Sequence, residues 1–243
     1  MPDSLADFAA QIAPELDRLR LGMMHAAVGV GMRTGLLTEA GLQPETFTVF
    51  AMLRNSYPDR PVGIASYRAA YVYQEPETFD RALGQITAAG LVSEMPDRTV
   101  VLTDPGRTLI GRIRGAGAVA ADERWGTGPL AIGPLADRAL AAAATSAVAD
   151  GAFHLVAPPQ DEPHDSDATR LAERLTGLRW HRFDAHVAAW TAAGLTAATV
   201  ADLGPGRERD ALETATDEHA GRAYAVLTPS ERMTLLAGLE QLA

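Results

Sequence analysis

The sequence of 243 residues contains no cysteine and no lysine, since all 21 of its Lys and Arg positions are arginine. Without cysteine the chain has no disulfide bond, no thiolate nucleophile and no cysteine-ligated metal. Without lysine it has neither a Schiff-base lysine nor the lysine of a phosphate-binding P-loop. It also lacks an apolar run of the roughly 20 residues needed to cross a bilayer, so we expect no contact with a membrane.

Basic charge is scarce as well. The 31 acidic residues outnumber the arginines and give a net charge of −10 at pH 7. This balance argues against general affinity for nucleic acid, although a local basic patch could still bind it. The segment MPDSLADFAAQ carries acids where a secretory signal would carry bases, so we expect a cytoplasmic protein. A hydrophobic fraction of 47% allows a sizeable core, in one large domain or two small ones.

The most informative stretch is TFDRALGQITAAGLVSEMPDRTVVLTDPGRTLIGRI, residues 78–113. A helix ends at residues 89–90, and an apolar pair follows at 91–92. A turn at 95–98 then leads to a β-branched run at 99–101 and to the start of the next helix at 104–107. Pro105 suits the first turn of the last helix. A helix, a β-hairpin and a second helix in this order are typical of the closing half of a winged helix-turn-helix.

The rest of the chain is predicted to be mainly helical. Apolar spacings of three and four predict helices at residues 5–23, 23–37, 45–57, 64–73, 77–89, 135–149, 168–193 and 229–242. Pro14 predicts a kink or a division of the first helix. The helix after the hairpin is expected to lose definition at residues 115–117. Asp167 is expected to cap a long helix, and Thr228 with Glu231 forms a capping-box pattern.

We divide the chain into three parts. Residues 1–114 hold the N-terminal helices and the winged helix-turn-helix, and residues 168–243 form a helical C-terminal domain. Residues 115–167 connect them and end in the acidic, proline-rich segment APPQDEPHDSD. Its acids, Asp161, Glu162, Asp165 and Asp167, could hold a divalent cation, but a solvated linker is the preferred interpretation.

A short sequence echo bears on the fold of the C-terminal part. Phe-Asp followed by Thr-Ala-Ala-Gly-Leu occurs at residues 79–91 and again, with the same spacing, at residues 183–195. Val-Leu-Thr at residues 101–103 recurs at 226–228 before another helix. A degenerate second winged helix explains the echo, and so does chance in an alanine-rich sequence. We therefore expect a mainly α protein with a small β-wing.

Several of these segments resemble the MarR family of bacterial regulators. GLQPETFTVFAMLRN, ETFDRALGQITAAGLVSE, VLTDPGRTLI and LTPSERMTLLAGLEQL match its second helix, recognition helix, wing exit and last helix. The segment LRWHRFDAHVAAWTAAGLT resembles actinobacterial winged-helix proteins described as MarR-like. The resemblance implies a homodimer, in which an N-terminal helix and the C-terminal helices form the interface, and a winged helix that binds DNA.

The DNA-binding mode of that family would place the helix at residues 77–89 in the major groove and the hairpin turn in a flanking groove. The candidate DNA-binding residues are Thr78, Arg81 and Gln85 on this helix, Arg98 in the turn, and Tyr67 and Arg68 on the preceding helix. Residues 75–98 contain five acids and two arginines, a net of −3. Since carboxylates near phosphates weaken binding, a module that packs or dimerises without touching DNA is an equal alternative.

A polar cluster in the predicted helix at residues 168–193 is the second candidate site. Its members are Trp180, His181, Arg182, Asp184, His186 and Trp190. The apolar stripe that begins at Leu171 continues at helical spacing to Arg182 and His186, on or beside the buried face. One interpretation is a pocket in which Arg182 binds a carboxylate or phosphate between tryptophan walls.

Three other interpretations of this cluster remain open. His181, Asp184 or His186 could bind a metal, but no recognised ligand spacing supports this. His186 could act as a general acid or base, with Asp184 orienting a neighbouring histidine. The plainest alternative is a satisfied core network in which Arg182 pairs with an acid on another helix.

The sequence thus leads to two functional hypotheses. The first is a homodimeric transcriptional regulator that binds DNA and senses a small anionic or aromatic ligand in its C-terminal region. The second is a winged-helix scaffold without DNA binding, which binds a small molecule or acts as an enzyme in secondary metabolism. No Walker, G-x-S-x-G or paired-carboxylate motif is present, so we predict no cofactor and no metal.

Overall fold

The computed structural model describes residues 4–56, 59–126 and 131–242. Twelve α-helices in these ranges are, in chain order, α1 Leu5–Arg33, α2 Leu36–Ala40, α3 Pro44–Ala51, α4 Ile64–Ala69, α5 Pro76–Ala88, α6 Asp104–Trp125, α7 Gly133–Ala144, α8 Phe153–Val156, α9 Asp167–Ala192, α10 Ala197–Ala201, α11 Arg207–Gly221 and α12 Pro229–Gln241. The strands are β1 Val62–Gly63, β2 Val92–Glu94 and β3 Thr99–Leu102. Helix accounts for 71% of the structure, so the expectation of a mainly α protein with a small sheet is confirmed. Within these ranges no helix is both long and apolar enough to cross a membrane.

The three strands form one antiparallel sheet in the order β1-β3-β2. β2 and β3 are a hairpin in which Val92 pairs with Leu102 and Glu94 with Val100. The turn between them places Arg98 at φ 64°. β1 precedes α4 and pairs with the other edge of β3 through Val62 and Val100. The short helices α4 and α5 therefore lie between the first strand and the hairpin along the chain.

α5 is amphipathic, and its apolar residues Phe79, Ala82, Leu83 and Ile86 are buried. The helix ends at Gly90, whose φ of +70° suits glycine, and the chain turns directly into β2.

A second glycine is required where α6 begins. A Cβ at Gly106 would lie only 1.9 Å from the carbonyl oxygen of Leu91. Because any other residue would push α6 away from the start of the hairpin, Gly106 permits the close contact that fixes the angle between them.

The described residues build two large hydrophobic cores that share α1 and α9. One core contains the buried faces of α3 to α6, the sheet and α8, and includes Val30 from α1 and Trp180 from α9. The other contains α7, α11 and α12, and includes Phe8 from α1 and Leu171 from α9. The division into residues 1–114, 115–167 and 168–243 stays a prediction, since these two helices belong to both cores.

The predicted division of the first helix at Pro14 and the predicted loss of helix at residues 115–117 are wrong, while a kink at Pro14 stays a prediction. α1 runs through the exposed Pro14 without a break, and α6 runs through residues 115–117 to Trp125. α1 buries side chains in both cores along its length, which offsets the roughly 3 kcal/mol that an internal proline costs. The predicted helix at residues 45–57 ends as α3 at Ala51 and continues as a 3-10 turn, Met52–Ser56. Its predicted last residue, Tyr57, lies outside the described residues.

The acidic segment at residues 157–167 is not a solvated linker. Arg114 forms an ion pair of 2.6 Å with Asp165, whose side chain is 6% exposed. Arg174 binds Asp161, and Arg60 donates a 2.8 Å hydrogen bond to the carbonyl of Pro158. These arginines fix the segment against α6 and α9, so its acids neutralise charge within the protein. The cap of α9 is Ser166, not Asp167 as predicted.

The sequence echo has a local cause. At the end of α5 the amide of Leu91 donates to the carbonyl of Ile86, and at the end of α9 the amide of Leu195 donates to that of Trp190. Both helices are followed by a glycine with a positive φ, 70° at Gly90 and 74° at Gly194. Ala-Ala-Gly-Leu therefore encodes a helix C-cap in both places. Residues 168–242, all of which are described, contain no strand. Of the two explanations of the echo, a second winged helix with its own β-wing is therefore not formed.

Candidate functional site

Two of the six candidate DNA-binding residues, Tyr67 and Gln85, form hydrogen bonds to α3. Tyr67 is fully buried and donates its hydroxyl hydrogen to the carbonyl of Val49. The prediction that Tyr67 contacts DNA is therefore wrong. Its ring packs edge-on against Phe79 in the core and has no face toward solvent. Gln85 is exposed, but its amide oxygen accepts a hydrogen bond from Thr46 on α3. That bond orients Gln85 and ties α5 to α3.

Two candidate arginines form surface ion pairs with neighbouring acids. Arg68 binds Asp80 of α5 and lies 5.6 Å from the ring centre of Phe79. Arg98 binds Glu94 across the hairpin at 2.6 Å. Both pairs are about half exposed or more, and such pairs contribute roughly 0–1 kcal/mol. They neutralise the arginines without immobilising them strongly.

Arg81 and Thr78 complete the candidate set on α5. Arg81 is exposed, and no ion pair or hydrogen bond of its side chain is found among the described residues. Thr78 is half-buried in the first turn of the helix, where its amide donates to the carbonyl of Glu75. The exposed surface of α5 therefore presents Arg81 as its one unpaired cation within the described chain.

In the α9 cluster, Asp184 is almost fully buried and faces α8. Its two carboxylate oxygens accept hydrogen bonds from the amides of Ala152 at 2.9 Å and Phe153 at 2.8 Å. Burial raises the pKa of Asp184 to about 6, against the opposing effect of these two amides. Asp184 thus caps the four-residue helix α8 from a distant part of the chain.

His181 faces α7 and is also buried. Its Nε2 lies 3.1 Å from the hydroxyl of Ser146, and its ring lies 5.7 Å from Phe153 and 5.6 Å from His219. Burial, and then the charge of His219, lowers the pKa of His181 to about 4. The imidazole is therefore neutral at pH 7.

Arg182 and His186 face α11. Arg182 pairs with Asp217 and, at 3.6 Å, with Glu213. His186 Nδ1 lies 3.3 Å from the hydroxyl of Thr216, and burial lowers its pKa. The ion pairs of Arg182 agree with the core-network interpretation, in which this arginine pairs with acids on another helix.

Of the two tryptophans, Trp180 lies near the middle of α9 and Trp190 lies in its last turn. Trp180 is packed edge-on against Phe183, with ring centres 4.9 Å apart. Trp190 donates its indole hydrogen to the hydroxyl of Tyr73 at 3.1 Å. The six predicted ligand residues thus face α8, α7, α11, α1 or the turn before α5, and do not converge on one cavity.

Two clefts lie elsewhere on the protein. One, of about 430 Å³, is lined by residues of α7, α8 and the start of α9, including Phe153, His154 and Arg174. The other, of about 310 Å³, lies between α6 and residues 162–169. None of the six predicted ligand residues lines either cleft. Among the described residues no group of three or more His, Cys, Asp or Glu side chains is placed to hold a metal ion.

The sequence reasoning missed the arginines that surround Trp180. Arg20 of α1 lies 5.5 Å and Arg179 of α9 lies 5.8 Å from the ring centre of Trp180. Arg20 is far from Trp180 in the sequence, so no local spacing indicates the contact. The only signal was the arginine-rich run LDRLRLG in the first helix.

Comparison with protein-family models, with curated proteins and with solved structures finds no match for this chain.

Proposed function

We propose that residues 44–102 form a winged helix-turn-helix and that the protein is a DNA-binding transcriptional regulator. The observation that supports this is the order α3-β1-α4-α5-β2-β3 together with the sheet order β1-β3-β2. In this arrangement α4 and α5 are the helix-turn-helix, α5 is the recognition helix and the β2–β3 turn is the wing.

In this proposal the exposed face of α5 enters the major groove. Arg81 contacts a base edge or a phosphate, and Thr78 in the first turn of α5 lies close to the backbone. Arg68 and Arg98 exchange their weak surface ion pairs for phosphate contacts, because an exposed pair costs little to break. The carboxylates of Asp80 and Glu94, which then lose their arginine partners, repel the DNA phosphates and so limit the affinity for DNA.

We also propose that the regulator is a homodimer. Leu21, Met24, Val28 and Met32 are large apolar residues of α1 that are 43–68% exposed. Their spacings of three, four and four place them on one face of the helix. If two copies of α1 cross near Ala26, an antiparallel pairing brings Leu21 opposite the partner's Met32 and covers both stripes.

A second function is favoured by the charge of the α5 and hairpin surface. Residues 75–98 carry a net charge of −3, and the described ion pairs already neutralise Arg98 and, from α4, Arg68. A winged-helix scaffold that binds a small molecule or acts as an enzyme in secondary metabolism, without touching DNA, needs no basic surface here.

The experiment is a salt series of binding to a mixed-sequence duplex and to the DNA upstream of the protein's own gene. The regulator predicts tighter binding to the upstream DNA and an affinity that falls steeply with salt. Arg81→Ala with Arg98→Ala should weaken binding at least ten-fold and reduce the salt slope. Arg138→Ala is the matched control, because this exposed arginine of α7 pairs with Glu231 of α12 and lies outside residues 44–102.

The outcomes separate the two functions. If the wild-type chain does not bind either duplex at low salt, the scaffold function stands. The dimer is measured independently by light scattering, where Met24→Glu with Val28→Glu should give a monomer. A wild-type chain that is monomeric at high concentration contradicts the proposed interface.

A further inference from the structure

Two arginines from separate elements lie beside the ring of Trp180, and the charge of a third arginine acts on one of them. Arg20 comes from α1, Arg179 from α9, and Arg54 from the 3-10 turn after α3. The guanidinium groups of Arg20 and Arg179 each lie within 6 Å of the ring centre of Trp180, at 5.5 and 5.8 Å. Arg179 also lies 5.5 Å from the ring centre of Phe183. We call Arg20, Arg54 and Arg179 the arginine cluster.

The arginine cluster has too few counter-ions. Arg179 pairs with Asp17 at 2.8 Å through its Nε, which leaves both of its terminal amino groups without a partner in the described residues. Among the described residues, the side chain of Arg54 has a single hydrogen bond, a weak one of 3.5 Å to the carbonyl of Ala51. For Arg20, although it is half-buried, the described chain provides neither an ion pair nor a hydrogen bond to its guanidinium. In the part of the chain that the structure describes, Asp17 is thus the single carboxylate that pairs with any of these three arginines.

The lowered pKa of Arg20 agrees with this shortage of counter-ions. Burial, and then the charges of Arg179 and Arg54, lowers the pKa of Arg20 to about 10. Like charges that face one another lower the pKa of a base because they disfavour its protonated form. Most of the other arginines packed between helices have carboxylate or carbonyl partners, as Arg114, Arg174 and Arg182 do. The arginine cluster therefore lacks an anion.

We propose that the arginine cluster is the binding site of a small anion that carries a carboxylate or phosphate group. A guanidinium binds either group through two parallel hydrogen bonds, and the planar fork of Arg20 is already held against the indole of Trp180. The anion lies between Arg20, Arg54 and the terminal amino groups of Arg179. The half-buried positions of all three side chains leave the site open to a small molecule.

The place of the site in the fold suggests what the anion controls. Aromatic rings on one face of α9 lead from Trp180 to Phe183 at 4.9 Å, and on to Tyr73 at 5.8 Å. Tyr73 lies in the turn directly before α5, and the charges of Arg54 and Arg20 act on the hydroxyl of Tyr71 in the same turn. An effect of the anion on DNA binding by α5 rests on the proposed regulator function, whereas the anion site itself does not.

The experiment measures thermal stabilisation and calorimetric binding with two probes, inorganic phosphate and benzoate, and with benzyl alcohol as an uncharged control. Wild-type protein should bind at least one of the two anions saturably and should not bind benzyl alcohol. Arg20→Gln and Arg54→Gln should each weaken that binding at least ten-fold. Arg18→Gln is the matched control, because Arg18 lies on the same helix, is exposed and is paired with Glu15.

A readout without any anion separates a binding site from a merely structural contact. If Arg20 serves to bind an anion, Arg20→Gln relieves repulsion and leaves the melting temperature in anion-free buffer unchanged or raised. If it serves to hold Trp180, the melting temperature falls. A fall, or equal anion binding by wild type and both variants, overturns the proposal.

DNA is the competing source of phosphate. Loss of duplex binding in Arg20→Gln, with no binding of either small anion by the wild type, would make the arginine cluster a DNA contact and overturn the anion site. Failure of the regulator function is distinguishable, because it removes duplex binding from the wild-type chain and leaves the calorimetric binding of phosphate or benzoate intact.

Discussion

The indole nitrogen of Trp190 donates a 3.1 Å hydrogen bond to the hydroxyl oxygen of Tyr73. Trp190 lies in the last turns of α9, and Tyr73 lies in the turn between α4 and α5. The bond connects the C-terminal helices to the segment that sets the position of α5. Val72 beside it packs with Trp190, Val200 and Leu212 in a small third core. The turn before α5 is therefore supported from outside residues 44–102.

Tyr73→Phe should loosen this turn. The change removes the acceptor and leaves the buried indole nitrogen of Trp190 without a partner, so we expect a loss of about 1 kcal/mol in the free energy of unfolding. Faster hydrogen exchange should be confined to the amides of residues 70–76 and the end of α9. Urea denaturation and hydrogen exchange measure the two effects. An unchanged exchange rate in the turn would show that the third core alone holds it.

The buried histidine and aspartate of α9 should give opposite pH dependences. The pKa of His181 falls to about 4 in the folded protein, so this residue stabilises the fold above pH 6.5 and its contribution is lost as the pH falls. The pKa of Asp184 rises to about 6, so the folded state binds its proton more tightly and this residue favours the fold as the pH falls from 6 to 4. The two effects partly cancel in the wild-type chain.

Single variants should expose each effect. His181→Gln keeps a polar group near Ser146. In this variant the decrease in the free energy of unfolding between pH 6.5 and 4 should be smaller than in the wild type by up to about 3 kcal/mol. Asp184→Asn should make the same loss steeper. Urea denaturation at a series of pH values measures both slopes. A His181→Gln curve parallel to that of the wild type would mean that the histidine has the same pKa in the folded and the unfolded state.

Local signals in the sequence predicted one part of the fold well. The amphipathic spacing of α5, its glycine cap and the β-branched run after the turn are all encoded within a few residues. The capping box at Thr228 and Glu231 was predicted for the same reason and is confirmed.

Long-range contacts determine the elements that the sequence did not predict. α8 is only four residues long and is capped by Asp184, about thirty residues later in the chain. α11 buries only Leu212 among its large apolar residues and has no clear stripe. The arginine cluster likewise joins α1, the 3-10 turn and α9. In each case the contact that determines the structure joins residues far apart in the sequence, and residue spacing along one helix or strand cannot predict it.

Arg114→Met should destabilise the protein and release the acidic segment. Arg114 is 9% exposed as a side chain and pairs with Asp165, so its removal leaves a buried carboxylate without a cationic partner and with only the amide of Glu162 as a described donor. Breaking such a pair costs about 3 kcal/mol. We expect new cleavage after Asp161 by a protease specific for acidic residues, since Pro163 blocks cleavage after Glu162. Arg112→Met is the control on the same helix, because its surface pair with Glu39 contributes under about 1 kcal/mol. Equal protection of wild type and Arg114→Met would contradict the anchoring role.

Gly151→Ala should destabilise the protein through a single contact. A Cβ at Gly151 would lie 2.2 Å from the Oδ2 of Asp184, and the shift that relieves it breaks the cap of α8, at a cost of about 1–3 kcal/mol. Gly115→Ala is the control, because a Cβ there meets nothing within 4 Å and alanine is the better helix former by roughly 0.5–1 kcal/mol.

A double-mutant cycle identifies the cause of the Gly151→Ala effect. Asp184→Ala removes the atom that the new methyl group would meet, so Gly151→Ala in that background should cost far less than in the wild type. Urea denaturation of the four proteins gives the coupling free energy. Additive losses would show that Gly151 is required for its backbone alone. A coupling as large as the single Gly151→Ala loss would establish that Asp184 makes this position specific for glycine.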